Sequence, residues 1–382
     1  MRILLLIKRF NFGGSENHAC ELANTLAENG HEVWLLSRKG RQVQRLSRCV
    51  HFYPFNLSDV GLLSQLIQLR KFILLHDIQL IHAHQRLAIK IASLAGKLFS
   101  IPTVATVHGQ TRHDLGAYIY RKCLTRVIFV SNQVLYRAGR FRELRNKSVF
   151  IPNSIGDMPR IENVLSGQIV YMSRLDKRHG ALLLMIIEQV LPELERKYPH
   201  VRLNIFGDGR MFDEVQQAAN RFNERVGACK VSCAGFKSET VNCLDGAALL
   251  LGVGRVAAQA LSQGVPVLSV NNRHLGSLVS ITNFTEFMQN NFVDVKGAAP
   301  TAYSLTVALT HFLANELKLK LQAKTLRASV KQHLHQNHIV RQIEFVYHEI
   351  LDENYVLNSP DTTASTALLP KAFLLSGEVL QE

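Results

Sequence analysis

The strongest constraint on this chain is an alternation repeated along it: apolar runs of strand length, each followed by a segment with helical spacing. Residues 2–8 make the first run. They lack the polar–apolar alternation of a half-exposed strand and so predict one buried on both faces. Beyond Gly13-Gly14, the residues Ala19, Leu22, Ala23, Leu26 and Ala27 recur at the spacing of one helix face. Asn29-Gly30 supplies a helix stop, and residues 33–36 return as a strand. Further strands are predicted at 78–83, 103–107, 126–130 and 149–151. Strands separated by helices demand crossover connections, so this half is predicted to be a doubly wound parallel sheet.

A polar stretch after Pro152-Asn153-Ser154, containing Pro159 and ending near Gly167, has the composition of a linker. A second alternating series follows, with strands predicted at 169–172, 202–206, 231–234, 247–251 and 266–270 and an apolar helix at 181–194. A helical pattern over 329–351 closes the compact part. The length, 382 residues, suits two domains. The predicted organisation is α/β: a Rossmann-like domain over 1–160, a second over 161–335, a C-terminal helix over 336–351 packing back on the first, and a loosely ordered tail over 352–382.

Composition excludes several classes. Hydrophobic residues make up 47% and charged residues 19%, enough to bury two cores and too apolar for global disorder. The longest candidate for a membrane span, 87–107, is interrupted by Lys90, Lys97 and Pro102. The apolar stretch near Met1 is flanked by Arg2 and by Lys8-Arg9, too short for a secretory signal, and is read as a strand. Cys20, Cys49, Cys123, Cys229, Cys233 and Cys243 show no paired metal-ligand spacing and no disulfide framework. A cytoplasmic location is therefore expected.

The charge is unevenly divided. Residues 1–150 carry 22 basic and 8 acidic side chains, which accounts for the whole net charge of +14 and leaves the remainder neutral. The dense stretches are Arg38-Lys39-Gly40-Arg41 with Arg45 and Arg48, then Arg121-Lys122 with Arg126, then Arg137 to Lys147. A one-sided positive surface attracts an anionic partner, and Tyr118-Ile119-Tyr120 beside Arg121-Lys122 suits an anionic lipid interface. Any single cluster is equally consistent with a solvated helix face. No nucleic-acid recognition motif accompanies the charge, so nucleic acid is not expected as a partner.

In open parallel sheets ligands lie beyond the carboxyl ends of the strands, which directs attention to the loops. Gly13-Gly14-Ser15-Glu16 precedes a helix, where backbone amides are able to approach an anion; a Gly-Gly pair is also a common tight turn. Further along come Val107-His108-Gly109, Ile151-Pro152-Asn153-Ser154, Ser173-Arg174-Leu175 and Phe206-Gly207-Asp208-Gly209. They are followed by Gly252-Val253-Gly254-Arg255 and by Gln259-Ala260-Leu261-Ser262-Gln263-Gly264-Val265-Pro266-Val267. Their order and spacing over about residues 1–351 resemble the family-4 retaining glycosyltransferases, of the glycosyl transferases group 1 type.

That resemblance implies a GT-B fold, two facing Rossmann-like domains with an interdomain cleft. It implies transfer of a sugar from a nucleotide-diphosphate-sugar, held mainly by the second domain, to a glycan or lipid-linked acceptor held mainly by the basic first domain. Catalytic roles fall on His108, at the position that contacts the donor sugar, and on Arg174, which clamps the diphosphate. A guanidinium forks onto phosphate oxygens, although a structural salt bridge is the alternative for Arg174. Donor-binding positions are Gly13, Gly14, Arg174, Lys177, His179, Gly207, Gly209, Gly252, Gly254, Arg255 and Gln259. Glu16, His84 and Asp114 are candidates on the acceptor side. No metal and no cofactor beyond the nucleotide-sugar co-substrate are expected, so fixed cations and helix N-termini must stabilise the leaving diphosphate.

The sequence departs from the family at three places. The lysine expected just before Gly180 is His179, with Lys177 and Arg178 close by. The two family glutamates, eight positions apart, are Leu251 and Gln259. Gln259 retains the capacity to bond a ribose hydroxyl, whereas Leu251 bonds nothing. The expected function is a retaining hexosyltransferase in cell-surface polysaccharide or lipopolysaccharide synthesis, peripheral on the cytosolic face of a membrane through its anionic lipid. The alternatives are a noncatalytic binding or partner protein, motivated by the lost carboxylates, and a nucleotide-sugar epimerase on the same architecture.

Overall fold

The computed structural model describes residues 1–356 apart from 12, 110–114, 162, 238 and 239. The chain divides into two compact units, one of Met1–Ser154 with the chain from Gln336 onward, the other of Ile155–His335. The boundary thus lies before residue 160, because Ile155 donates its amide to Leu334 and already belongs to the second unit.

The first unit holds seven strands: β1 (Arg2–Arg9), β2 (Glu32–Arg38), β3 (Val50–Pro54), β4 (Leu80–His84), β5 (Thr103–Val107), β6 (Arg126–Phe129) and β7 (Ser148–Phe150). All pair in parallel, in the order β3-β2-β1-β4-β5-β6-β7. The order reverses between β1 and β4, so the loops after these two strands diverge and open a crevice. The helices are α1 (Gly14–Glu28), α2 (Leu62–Leu75), α3 (Arg86–Phe99), α4 (Tyr118–Cys123) and α5 (Asn132–Ala138). Because β1 presents Leu4 and Leu6 to one side and Ile3, Leu5 and Ile7 to the other, both sheet faces need covering. Helices α2 and α3 pack on the first face, α1 on the second.

The second unit holds β8 (Gln168–Met172), β9 (Arg202–Phe206), β10 (Val231–Cys233), β11 (Leu249–Gly252), β12 (Val267–Val270) and β13 (Leu275–Leu278), in the order β10-β9-β8-β11-β12-β13. Only β13 runs antiparallel, on the edge beside β12. Its helices are α6 (Lys177–Met185), α7 (Leu191–Lys197), α8 (Phe212–Val226), α9 (Thr240–Cys243), α10 (Arg255–Gln263), α11 (Phe284–Gln289), α12 (Ala302–Ala314) and α13 (Glu316–Leu334). The helix predicted at 181–194 is interrupted by a π turn over Ile186–Val190. Pro192 lies just beyond it, where its ring clashes with the carbonyl four residues back, and widening the turn relieves that clash.

The predicted helical stretch 329–351 is two helices, broken at His335 where the chain leaves the second unit. The last helix, α14 (Gln336–Val356), runs five residues into the segment predicted as a tail; residues 357–382 lie outside the described residues. Ile339, Val340, Ile343, Val346, Tyr347 and Ile350 make one buried face of α14 against the β1 and α1 side of the first sheet. Each such side chain contributes roughly 1.5–3 kcal/mol of gross burial. His31 pairs with Glu344 at 3.0 Å and Arg126 with Glu349 at 3.1 Å along the same helix.

Candidate functional site

In the first unit the site candidates gather at the carboxyl ends of β1, β4 and β5. The chain after β1 turns into α1 through Gly13 and Gly14. A Cβ on Gly13 would fall 2.5 Å from Glu16 Oε2, so glycine there lets the Glu16 carboxylate fold back over the helix start, where Ser15 Oγ donates to it at 2.7 Å. Nothing lies within 4 Å of a Cβ placed on Gly14, which leaves that backbone open. Glu16 is thus occupied within its own loop. Asp114 lies outside the described residues.

His84 ends β4 and is fully buried, so it meets its neighbours rather than open solvent. Its Nδ1 lies 3.3 Å from Nε2 of the half-buried His108, which follows β5. His18, one helical turn beyond Gly14, completes a group: its ring centroid is 5.6 Å from that of His84 and 5.0 Å from that of His108. Sequence inspection passed over His18, although its position four residues after Gly14 puts it on the helix face that follows the loop. One ring nitrogen from each of His18, His84 and His108 lies within 4.8 Å of the others, a spacing at which imidazoles are able to share a transition metal.

Beneath this group His82 stacks on His84 with centroids 4.5 Å apart. Its Nε2 lies 2.7 Å from Thr106 Oγ1 and its Nδ1 2.5 Å from the Tyr347 hydroxyl on α14. Burial, reinforced by the charge His108 is able to carry, lowers the His82 pKa to about 3. Burial, with His82, His18 and His108 adding to it, holds His84 well below 6.5. Both are therefore neutral at pH 7 and position His108 rather than carry charge.

In the second unit the candidates again flank the reversal point of the sheet, here between β8 and β11. Ser173-Arg174-Leu175 leaves β8 and is braced from behind: Ser173 N donates to Phe206 O at 3.2 Å and Leu175 N to Asp208 O at 2.9 Å. A Cβ on Gly207 would lie 1.9 Å from Ser173 O, and one on Gly209 2.4 Å from Leu175 O; both glycines have φ near +152°. Only glycine permits this approach. The amide of Gly207 is used by Gly235 O at 2.9 Å and that of Gly209 by Asp208 Oδ1 at 2.7 Å. These glycines support the Arg174 loop and do not offer amides to a phosphate.

Arg174 itself is exposed and makes no ion pair among the described residues. Two residues on, Asp176 caps α6, accepting from Arg178 N at 2.9 Å and His179 N at 3.0 Å, with the His179 ring also 3.0 Å away. Partial burial works against the charge on Asp176, but the His179 and Arg178 amides and the His179 ring hold its carboxyl below the usual range. His179 is thus tethered at the start of α6, while Lys177 is exposed there. Asp176 was missed as a site residue, although an Asp before a helical run is a recognisable N-cap.

After β11, Gly252 leads to Gly254, which caps α10 at φ +70° and donates its amide to Asn291 O at 2.8 Å. Arg255 opens α10 and is partly buried; Gln259, one turn on, is 5% exposed. Leu251 is wholly buried in the sheet core, paired in register with Tyr171 and Leu268. It holds the strand rather than facing a ligand.

Comparison with known proteins bears on these groups. Residues 12–156 match the model of Glycosyltransferase Family 4. The match covers less than half of the chain. The matched segment contains Gly13, Gly14, His18, His84 and His108. The chain is 27% identical over 243 residues to a human protein, one of the subunits of phosphatidylinositol N-acetylglucosaminyltransferase, covering 56% of this chain and 50% of that protein. It is 26% identical over 229 residues to the phosphatidyl-myo-inositol mannosyltransferase of Mycolicibacterium smegmatis, covering 54% of this chain and 58% of that one. The matches thus span about half the length of these relatives. Among solved structures, Anabaena HepE in complex with UDP-glucose superposes with a TM-score of 0.70 at 17% identity, over 91% of this chain and all of that one. The two parallel-sheet units are those of the GT-B fold.

Proposed function

We propose that the chain is a retaining glycosyltransferase that moves a sugar from a nucleotide-diphosphate-sugar to a lipid-linked or glycan acceptor. The observation that carries this is Arg174: an exposed guanidinium, without an ion pair among the described residues, on a loop that Gly207 and Gly209 brace, at the reversal point of the second sheet. Bracing fixes the cation before ligand arrives, so little reorganisation opposes its pairing with a diphosphate. Charge builds on the diphosphate as the sugar leaves, and Arg174, with Lys177 and His179 at the start of α6, stabilises it. His108, held by neutral His84, meets the donor sugar. Gln259 and Arg255 complete the donor side, with the sugar hydroxyls recognised elsewhere than at Leu251.

The relatives' names point to a phosphoinositide acceptor for those proteins, and the first unit of this chain carries surfaces that suit lipid. No helix among the described residues is long and apolar enough to cross a membrane. On α2, however, Leu63, Ile67 and Leu74 are 73%, 49% and 61% exposed on one stripe beside the exposed Arg70 and Lys71. Tyr118 and Ile119 are exposed on α4. An apolar stripe edged with cations suits an anionic bilayer surface. Arg121 is not part of that surface: it is buried against Glu143 and the carbonyls of Leu115 and Gly116. The reading places the enzyme on the cytosolic face of a membrane, in cell-surface polysaccharide or lipopolysaccharide synthesis.

The test is turnover of a nucleotide-sugar panel with lipid acceptors, the anomeric configuration of the product being read by NMR. Transfer with retention supports the proposal. Nucleotide binding without transfer to any acceptor points to a noncatalytic partner protein, whereas an altered free nucleotide-sugar formed without acceptor points to epimerisation.

A further inference from the structure

Beside the turn from β4 into α3 lies a cavity of about 670 Å³ lined by Lys8, Asp59, Gln85, Arg86, Lys90 and Tyr120, among others. Three cations face one carboxylate there. Lys90 pairs with Asp59 at 3.2 Å and lies 6.0 Å from the Tyr120 ring centre, while neither Lys8 nor Arg86 has an ion-pair partner among the described residues. The start of α3, fourteen residues long, lines the same cavity and has no side-chain cap and no acidic residue in its first turn. Its first amides and its dipole add to the positive field.

Gln85, which makes that turn, has φ +68°, a conformation costly for a residue with a side chain. The strain points the chain straight from the buried His84 into α3, and the Gln85 side chain bridges to Arg9 N and to Ser15 Oγ, both at 3.4 Å. The cavity is therefore joined through one residue to the Gly13-Gly14 loop and to the histidine group. On its other side the wall is held by Arg121, buried and bonded to the Gly116 carbonyl at 2.9 Å.

We propose that this cavity binds the phosphate-bearing headgroup of a lipid acceptor, with the phosphate on Lys8, Arg86 and the α3 amides. Two observations select a lipid over a soluble phosphate ester. Asp59 of the lining is followed by Val60, 83% exposed, and then by the exposed stripe of α2. Ala117 and Tyr120 of the lining flank the exposed Tyr118 and Ile119. An anion seated in the cavity thus has apolar surface on two sides of its mouth, where acyl chains leave. This inference rests on the glycosyltransferase reading only for the word acceptor; the headgroup site itself does not depend on it.

The experiment uses the full chain and two variants, Lys8→Ala and Arg86→Ala. Binding is measured to vesicles of phosphatidylcholine with and without phosphatidylinositol, and by calorimetry to glycerophosphoinositol and to inorganic phosphate. Uridine diphosphate is titrated in parallel. The expected result is retention on the phosphatidylinositol vesicles, measurable glycerophosphoinositol binding, and a loss of about tenfold or more in each variant, as for a lost charge-assisted contact. Uridine diphosphate binding stays unchanged in both variants. Wild-type binding of neither headgroup nor vesicle, equal binding by the variants, or binding of inorganic phosphate alone overturns the proposal. Variant-sensitive headgroup binding in a protein that turns over no donor supports the subsite and sinks the transferase reading instead.

Discussion

The two units share a sheet order that reverses at its centre, yet they place different chemistry at that point. The first puts buried, neutral imidazoles and a strained turn beside a basic cavity, in a unit rich in Lys and Arg and edged by exposed leucines. The second, less basic, puts an exposed guanidinium on a loop braced by two glycines. The common fold provides only the crevice; the side chains at its edges decide whether it suits a lipid headgroup or a diphosphate. The contrast also locates fragility. The first site depends on keeping histidines uncharged, the second on backbone close approach.

The largest expected effect tests the second half of that contrast. Arg174→Ala should lower transfer by about 10²–10³-fold while leaving the melting temperature unchanged, since the side chain is exposed. An equal loss of stability would show that Arg174 serves the fold. Next comes Gly207→Ala, where a Cβ must displace the Ser173 carbonyl. We expect a cost of about 1–3 kcal/mol and a drop of roughly 5 °C in melting, together with weakened nucleotide binding, measured by calorimetry and thermal unfolding. A variant as stable as the parent would mean the loop yields freely.

On the first unit, Leu63→Glu with Ile67→Glu should cut retention on anionic vesicles about tenfold and leave soluble nucleotide binding intact, as read by sedimentation. The pH dependence is smaller. His82 and His84 have folded pKa values below their ordinary 6.5, so the unfolded chain binds more protons as the pH falls through that value. Their contribution is complete above about 6.5 and lost progressively as the pH falls below it, for His82 toward about 3. The melting temperature should therefore fall by several degrees between pH 7 and 5, and His82→Gln should flatten that slope. The smallest effect expected is none: chelation with EDTA should leave transfer unchanged, and its abolition would assign a metal to His18, His84 and His108.

Much of the architecture was legible because buried parallel strands are written as unbroken apolar runs, as in residues 2–8. The edge strands β3 and β13 escaped because an edge is half exposed: β3 ends in Pro54 and β13 contains Gly276, which dilute the pattern. Site legibility followed a similar rule. Arg174 and His108 sit in loops where residue type signals chemistry, and both are placed by local sequence. Gly207 and Gly209 were visible as glycines, but their task, clearing space for a carbonyl from another loop, exists only in three dimensions. His18 and the cavity of Lys8, Arg86 and Lys90 depend on side chains from separate segments meeting, which no local pattern announces.

The central claim is that the second unit grips a nucleotide diphosphate through Arg174, and thermal unfolding against a nucleotide-sugar panel tests it most directly. A ligand that binds only the folded state raises the melting temperature. The account predicts that at least one nucleotide-sugar raises it in the parent chain and fails to do so in Arg174→Ala. A panel that shifts neither protein, or shifts both equally, would contradict it.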